Sequence, residues 1–165
     1  MLNNLKKLFK REAAKQIKKA VNIYISEVRG QIIIAPRHIN KSGIYYEQEA
    51  CTVLNYPIDE QVLGDEIIRN FNLFSLKDKN LRNEKLTDWP AFKCSKMKTV
   101  KSFKASFIGV SIFGNNYSNI SLCIEAPLRG DENLTINSSI SAYSNKRDIG
   151  KLVMKVFHKS LTLNV

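Results

Sequence analysis

Apolar residues recur every four positions from Leu5 to Ile17, which is helical spacing and predicts a helix over residues 3–20. Seven basic side chains and one acid, Glu12, surround this apolar stripe. A basic amphipathic helix is typical of a membrane surface, or of a helix packed on its own protein with its lysines in water. The stripe lacks tryptophan and is largely one residue wide, which favours the packed helix.

Beyond residue 20 the pattern changes to short runs rich in β-branched residues, which are typical of strands. Arg29 and Gly30 indicate a tight turn, and Asp59 is placed to cap a helix whose apolar face includes Leu63, Ile67 and Phe71. The first half of the chain, residues 21–72, is therefore predicted as four strands and a helix, with strands over 21–28, 31–36, 44–50 and 51–56.

The second half repeats this order after a polar stretch, residues 73–96, that we expect to be a connecting loop. Asn145 is placed to cap the final helix, predicted over 144–161. Residues 97–161 are thus a second set of four strands and a helix, with strands near 98–104, 106–113, 119–126 and 133–142.

The two predicted helices can be aligned, because "LGDEIIRNF" (63–71) and "IGKLVMKVF" (149–157) share an aliphatic residue, a glycine, an aliphatic pair and a final phenylalanine. Glycine inside a helix costs about 1 kcal/mol relative to alanine. Its repetition at Gly64 and Gly150 predicts that each helix closely approaches a sheet. The expected fold is α+β: one domain over 1–165, with an N-terminal helix (1–20) and two small antiparallel sheets packed together.

Composition adds a strong charge, with 26 basic and 15 acidic residues giving a net charge of +11. Such a balance favours polyanions, anionic membranes or an acidic partner. From Trp89 to Ile124 the chain has no acid, and basic residues interleave there with Phe92, Phe103 and Phe107. This segment is compatible with a module that binds RNA or single-stranded DNA, although the same phenylalanines fit a core.

The opposite charge is concentrated in residues 42–68, which hold six acids and no lysine or arginine. Tyr45, Tyr46 and Tyr56 lie in the same stretch, and tyrosine is enriched at binding interfaces. These residues would make an anionic aromatic patch if they share a face. Alternatively, the acids balance basic neighbours in space.

No spacing of residues typical of a catalytic site or a phosphate-binding glycine loop is present, and His38 and His158 stand apart. We therefore expect a protein without enzymatic activity or cofactor. The three cysteines form no CxxC pair, so free thiols are favoured over a zinc site or disulfides. No apolar run is long enough to span a bilayer, and no signal-peptide core follows the basic start, so neither membrane insertion nor export is expected.

Several short motifs resemble the immunity proteins of bacterial contact-dependent growth inhibition systems. The resemblance covers the chain from about residue 21 to 161. The motifs that carry it are "LNYP" (54–57), "LGDEI" (63–67), "DWPAF" (88–92), "KMKTVKSF" (96–103) and "IGKLVMKVF" (149–157). The resemblance implies a cytoplasmic, non-catalytic protein that binds and neutralises a toxin domain delivered by a neighbouring cell. Such toxins are frequently nucleases, so an RNase partner is expected, with no stable nucleic acid and no membrane bound.

The resemblance carries over no binding residue, because members recognise only their own toxins. The motif residues Leu63, Gly64, Trp89, Phe103 and Gly150 are expected to be framework. For a basic toxin the candidate binding residues are aromatic and acidic: Tyr45, Tyr46, Glu47, Glu49, Asp59, Glu60, Asp65 and Glu66. For an acidic toxin they are Lys93, Lys96, Lys98, Lys101 and Lys104. The sequence does not choose between the two faces.

Overall fold

The computed structural model describes residues 18–114, 118–127 and 133–163. The predicted N-terminal helix lies outside this range except for residues 18–20, of which Ala20 begins the first strand. The strands are β1 (Ala20–Ser26), β2 (Gln31–Ile39), β3 (Tyr45–Glu47), β4 (Thr52–Asn55), β5 (Ser75–Leu76), β6 (Ile108–Gly114), β7 (Asn119–Pro127) and β8 (Asn133–Ser141). The helices are α1 (Glu60–Asn72), α2 (Pro90–Ser95), α3 (Val100–Ser106) and α4 (Lys146–Leu163), with a 3-10 turn at Leu86–Asp88.

The predicted α+β class is confirmed, but the strands form one sheet and not two packed sheets. Its order is β3-β2-β1-β6-β7-β8, with β4 and β5 also paired to β2. Neighbouring strands are antiparallel except for the short parallel pair of β2 and β5. The two halves are joined edge to edge, because β1 from the first half pairs with β6 from the second.

Helices cover both faces of this sheet, as the alternation in β1 requires. Ile23 and Ile25 pack with α1 and α4 in the larger core, whereas Tyr24 packs with α2 and α3 in a smaller aromatic core. Phe103 is the centre of the smaller core, with its ring 5.0 Å from that of Trp89. Leu63, Gly64, Phe103 and Gly150 are buried, in agreement with the framework role expected for them, whereas Trp89 is only half-buried.

Two segments differ from the sequence-based expectation. The predicted strand over 98–104 is wrong, because Val100–Ser106 is helix α3, capped by the Thr99 side chain. The predicted loop over 73–96 contains helix α2, which has Pro90 in its first turn. In its described residues, the second half therefore has three strands and not four. Both short helices form because their apolar side chains cover the sheet face that Tyr24 occupies.

Gly64 and Gly150 mark a close approach, but of the two helices to each other and not of a helix to the sheet. A Cβ on Gly64 would lie 1.7 Å from the carbonyl oxygen of Lys146, and one on Gly150 would lie 2.0 Å from that of Glu60. Each glycine therefore admits the backbone of the other helix. The predicted caps are confirmed: Asp59 accepts from two backbone N–H groups of α1, and Asn145 accepts from that of Asp148.

Candidate functional site

A cavity of about 650 Å³ opens on the side of the sheet that carries α2. Strands β1, β2 and β3 form its floor, and residues 79–94 form its opposite wall. The lining combines aromatic side chains with charges of both signs, notably Tyr24, Tyr46, Trp89, Arg37 and Glu47. Concave sites of this size with a few convergent polar groups are where proteins usually bind their ligands or partners.

The carboxylate of Glu47 is held by three neutral donors from two elements, β1 and α2. Its Oε1 accepts hydrogen bonds from the Tyr24 hydroxyl at 2.5 Å and the Asn22 amide at 2.9 Å. Its Oε2 accepts from the backbone N–H of Ala91 at 3.1 Å, in the first turn of α2. Burial, followed by the nearby Glu47 charge, raises the pKa of Tyr24 far above its usual value, so the phenol stays protonated as a donor.

Arg37 lies directly opposite Glu47 in the pairing of β2 and β3, yet the two side chains form no ion pair. The guanidinium instead lies over the ring of Tyr45, 4.9 Å from its centroid, and 5.7 Å from that of Phe113. Its Nε is buried and has no hydrogen-bond partner among the residues that the structure describes. Burial lowers the pKa of Arg37, although arginine remains charged at neutral pH.

Charges on the outer wall of the cavity are paired among themselves. Lys79 lies 2.7 Å from Glu84, and Lys93 lies 3.6 Å from Asp88. The hydrogen bond to Glu84 raises the pKa of Lys79, and backbone donation from Lys85 lowers that of Asp88. These pairs order the wall but are exposed, so each contributes little stability.

The eight candidates from the acidic stretch do not share one face. Glu47 lies on the α2 side of the sheet and Glu49 is exposed beyond the end of β3, whereas Asp59, Glu60, Asp65 and Glu66 belong to α1 or its cap. On α1 the acids are balanced by basic neighbours: Asp59 faces Arg147, Asp65 faces Lys146, and Glu66 pairs with Arg69. The alternative interpretation, balance in space, therefore describes Asp59, Asp65 and Glu66.

Both candidate tyrosines are half-buried, and each hydroxyl donates to a backbone carbonyl. Tyr45 donates to Lys18 and Tyr46 to Lys77, each at 2.8 Å. The side chain of His38 stacks near Tyr46, and burial lowers the pKa of this histidine. Both tyrosines line the cavity.

The alternative basic residues all lie on the layer formed by α2 and α3. Their side chains are exposed, and they are Lys93, Lys96, Lys98, Lys101 and Lys104. The aromatic residues between them are not available for stacking on bases, because Phe92, Phe103 and Phe107 are 8%, 1% and 6% exposed. This arrangement offers a cationic surface without exposed phenylalanine rings.

The free cysteines were expected, and Cys51, Cys94 and Cys123 are all free in the structure. Cys51 and Cys94 both pack against the aromatic core, and burial raises the pKa of the Cys51 thiol. Within the described residues, no three metal-binding side chains converge on a possible ion. Over the same ranges, none of the helices has both the length and the apolar character needed to cross a bilayer.

Arg37 is the residue of this site that the sequence-based reasoning missed. A signal for it exists in "QIIIAPRHI" (31–39), where Ile33, Ala35 and Arg37 alternate onto one face. The first two are buried in the aromatic core, so a cation at the next position continues an inward-facing row. A charged side chain in such an inward-facing row indicates either a buried ion pair or a binding site.

Comparison with known proteins found similarity in fold only. No protein-family model and no curated protein sequence matches the chain. A protein of unknown function from Neisseria meningitidis superposes with a TM-score of 0.62 and 15% identity, over 81% of this chain and 90% of that one. A chain of the CdiA-CT/CdiI toxin and immunity complex from Yersinia pseudotuberculosis superposes with a TM-score of 0.57 and 9% identity, over 89% and 95%.

Proposed function

We propose that this chain is an immunity protein, which binds the toxin domain of a contact-dependent growth inhibition system and neutralises it without catalysis. The observation that carries the proposal is the fold shared with a chain of a toxin and immunity complex, over nearly the full length of both chains. The motifs around Leu63, Trp89 and Ile149 support it independently, since they were identified from sequence alone.

The site chemistry agrees with binding better than with turnover. Three carboxylates of the cavity are engaged by neighbouring groups: Glu47 is held by three donors, and Glu84 and Asp88 are paired with lysines. A general base or nucleophile needs a poised partner within reach of a substrate, and this network supplies none among the described residues. The rigid aromatic lining suits a protein surface, because Trp, Tyr and Arg dominate interface energetics.

The proposed partner is a nuclease toxin, most readily an RNase, and the proposed location of the encounter is the cytoplasm. Both come from the family resemblance. Inhibition would follow from covering the toxin's active site or another essential surface at a ratio of one to one.

The experiment begins with the gene immediately upstream, which the proposal expects to encode a large exoprotein, and uses the C-terminal domain of that exoprotein as the toxin. Co-expression should restore growth of cells that make this domain, and the purified chain should abolish its activity at about equimolar ratio. The chain alone should show no turnover of RNA or DNA. Growth arrest that persists despite soluble co-expressed chain would contradict the proposal, as would nuclease turnover by the pure chain that a point mutation abolishes.

A further inference from the structure

The guanidinium of Arg37 is a half-buried cation that forms no ion pair within the part of the chain that the structure describes, although the Glu47 charge on the paired strand attracts it at longer range. The opposing carboxylate, Glu47, is already occupied by Tyr24, Asn22 and the N–H of Ala91. The wall carboxylates Glu84 and Asp88 are paired to lysines. None of these acids forms an ion pair with Arg37, and its Nε has no acceptor among the described residues.

Such an arrangement is unfavourable in the free protein. Removing a charge from water costs free energy that an ion pair or hydrogen bonds must offset. The Tyr45 and Phe113 rings offset part of it and fix the orientation of the guanidinium plane. The remaining donors line an open cavity, so an acceptor can reach them from outside.

The geometry restricts the chemistry of that acceptor. A fixed guanidinium presents parallel N–H groups that match the two oxygens of a carboxylate, and this match is stronger than a neutral hydrogen bond. Around the cavity mouth lie Tyr46, Trp89 and the 68%-exposed side chain of Leu86. An aromatic and apolar rim around a desolvated charge is the usual surrounding of a protein interface anchor.

We propose that Arg37 is the central anchor of the toxin interface, and that it pairs with an aspartate or glutamate side chain that the toxin inserts into this cavity. This inference rests on the proposed function and specifies its partner chemistry. The cavity contains Tyr45, Tyr46, Glu47 and Glu49 of the acidic candidates and Lys93 of the basic ones, but Arg37 belongs to neither set. Pairing with Arg37 places the toxin's contact on the α2 side of the sheet, away from the acids of α1.

The test replaces Arg37 with methionine, which keeps an apolar chain against Tyr45 and Phe113 but removes the charge. Because an unpaired cation disappears, the melting temperature of the free chain should stay equal or rise. Affinity for the upstream toxin domain, measured by titration calorimetry, should fall about 30-fold or more. Arg37→Lys keeps the charge but loses the paired donors, so its affinity should be intermediate.

Arg29→Met is the matched control, since Arg29 is exposed in the turn between β1 and β2. Its affinity for the toxin domain should stay within about threefold of the original chain. Unchanged affinity of Arg37→Met would overturn the inference. So would a fall in melting temperature large enough to account for the lost binding, because Arg37 would then be a structural residue.

A second probe separates this inference from the proposed function. Trp89 is the only tryptophan of the chain and lines the cavity, so its fluorescence reports occupancy. Hexaglutamate should change this fluorescence in the original chain and in Arg29→Met, but not in Arg37→Met. If the toxin domain does not bind the original chain, the proposed function is refuted. The change in Trp89 fluorescence on adding hexaglutamate still shows whether Arg37 binds a carboxylate in the cavity. No Arg37-dependent response would refute the anchor, and tighter Arg37-dependent binding of free succinate would reassign the cavity to a small molecule.

Discussion

At the scale of single residues, the glycines at the helix crossing give the sharpest prediction. Alanine normally stabilises a helix by about 1 kcal/mol relative to glycine. In Gly64→Ala or Gly150→Ala, however, the new methyl group would overlap the backbone of the other helix. We therefore expect each substitution to lower the free energy of unfolding by about 1–3 kcal/mol, measured by thermal or urea denaturation.

Gly109→Ala provides the control, because its added Cβ would lie 3.4 Å from the Tyr24 ring, at ordinary contact distance. The free energy of unfolding of Gly109→Ala should change far less than that of Gly64→Ala or Gly150→Ala. A higher melting temperature for Gly64→Ala or Gly150→Ala would show that α1 and α4 separate easily at the crossing.

Glu47 and Glu49 are both acidic candidates from the sequence, but they should behave differently. Glu47→Ala leaves the Tyr24 hydroxyl and the Ala91 N–H without their acceptor, which should cost about 1–3 kcal/mol of stability. Glu49 is exposed beyond β3, so Glu49→Ala should change stability by no more than about 0.5 kcal/mol. Urea denaturation of both variants measures the difference, and equal values would contradict the role of Glu47 as an acceptor.

Local features were predictable at this scale because they depend on neighbours in sequence. The Asp59 side chain caps the helix by accepting from backbone N–H groups of the next turn. The turn at Gly30 requires a positive φ, here 59°, which glycine adopts readily. Arg37 was not predictable as a site, because its isolation depends on Glu47 being occupied by donors from β1 and α2. No sequence spacing encodes that competition.

At the scale of elements, the contact between α1 and α4 predicts a response to acid. Hydrogen bonds from Val62 and Gln61, with a smaller effect of Arg147, lower the pKa of Asp59. A lowered folded-state pKa contributes stability above the unfolded value of about 3.9, and this stability is lost as pH falls through the folded-state value. Asp59→Asn should therefore flatten the fall in melting temperature below about pH 4.

The matched variant Arg147→Met keeps the cap but removes the ion pair to α4. It should flatten the acid limb less than Asp59→Asn, since the backbone hydrogen bonds are the larger cause of the lowered pKa. Melting temperatures of the three proteins between pH 2 and pH 7 measure this order. If the acid limb is unchanged in Asp59→Asn, a neutral side-chain carbonyl caps the helix as well as the carboxylate does. Protonation of Asp59 would then not be the cause of the lost stability in acid.

The layer of α2 and α3 predicts weak binding of nucleic acid. Its exposed lysines can contact phosphates, but the phenylalanines beneath them are buried in the aromatic core. Binding to an RNA oligomer should therefore be insensitive to sequence and lost near 0.15 M salt, as measured by fluorescence anisotropy. Submicromolar affinity at that salt would favour the alternative of a nucleic-acid-binding module.

Most strands and both long helices were predictable as elements, whereas α3 was mistaken for a strand. Met97, Val100, Phe103 and Phe107 are spaced by three or four residues, which is helical, but the segment is short and contains β-branched residues. In α2 the overlooked signal was Pro90 at the first helical position. Both helices are stabilised mainly by packing on Tyr24, which sequence patterns do not contain.

At the scale of the whole molecule, the net charge of +11 predicts how the partner is found. If the toxin presents an acidic side chain and its surroundings to the cavity, opposite charges attract during diffusion. The association rate should then fall as ionic strength rises, while dissociation changes less. Stopped-flow measurement of Trp89 fluorescence at several ionic strengths gives both rates. An association rate that rises with salt would indicate repulsion, and would favour docking through the acidic residues 42–68.

The order of strands was beyond prediction, because it is decided by contacts between distant parts of the chain. Both halves carry the sequence signals of strands followed by a helix, and these signals are equally compatible with two sheets or one. The single sheet results from the pairing of β1 with β6, in which Ile23 lies opposite Val110. The helix crossing at the two glycines joins the same halves on one face.

The pairing of β1 with β6 also has a consequence for synthesis of the protein on the ribosome. Until about residue 114 has left the exit tunnel, the inner edge of β1 has no neighbour, and Ile23 and Ile25 lack part of their core. Unpaired strand edges with apolar faces are prone to aggregation. A nascent chain that stops within residues 73–96 would therefore emerge with an open β1 edge, and completion of the fold must wait for the second half of the message to be translated.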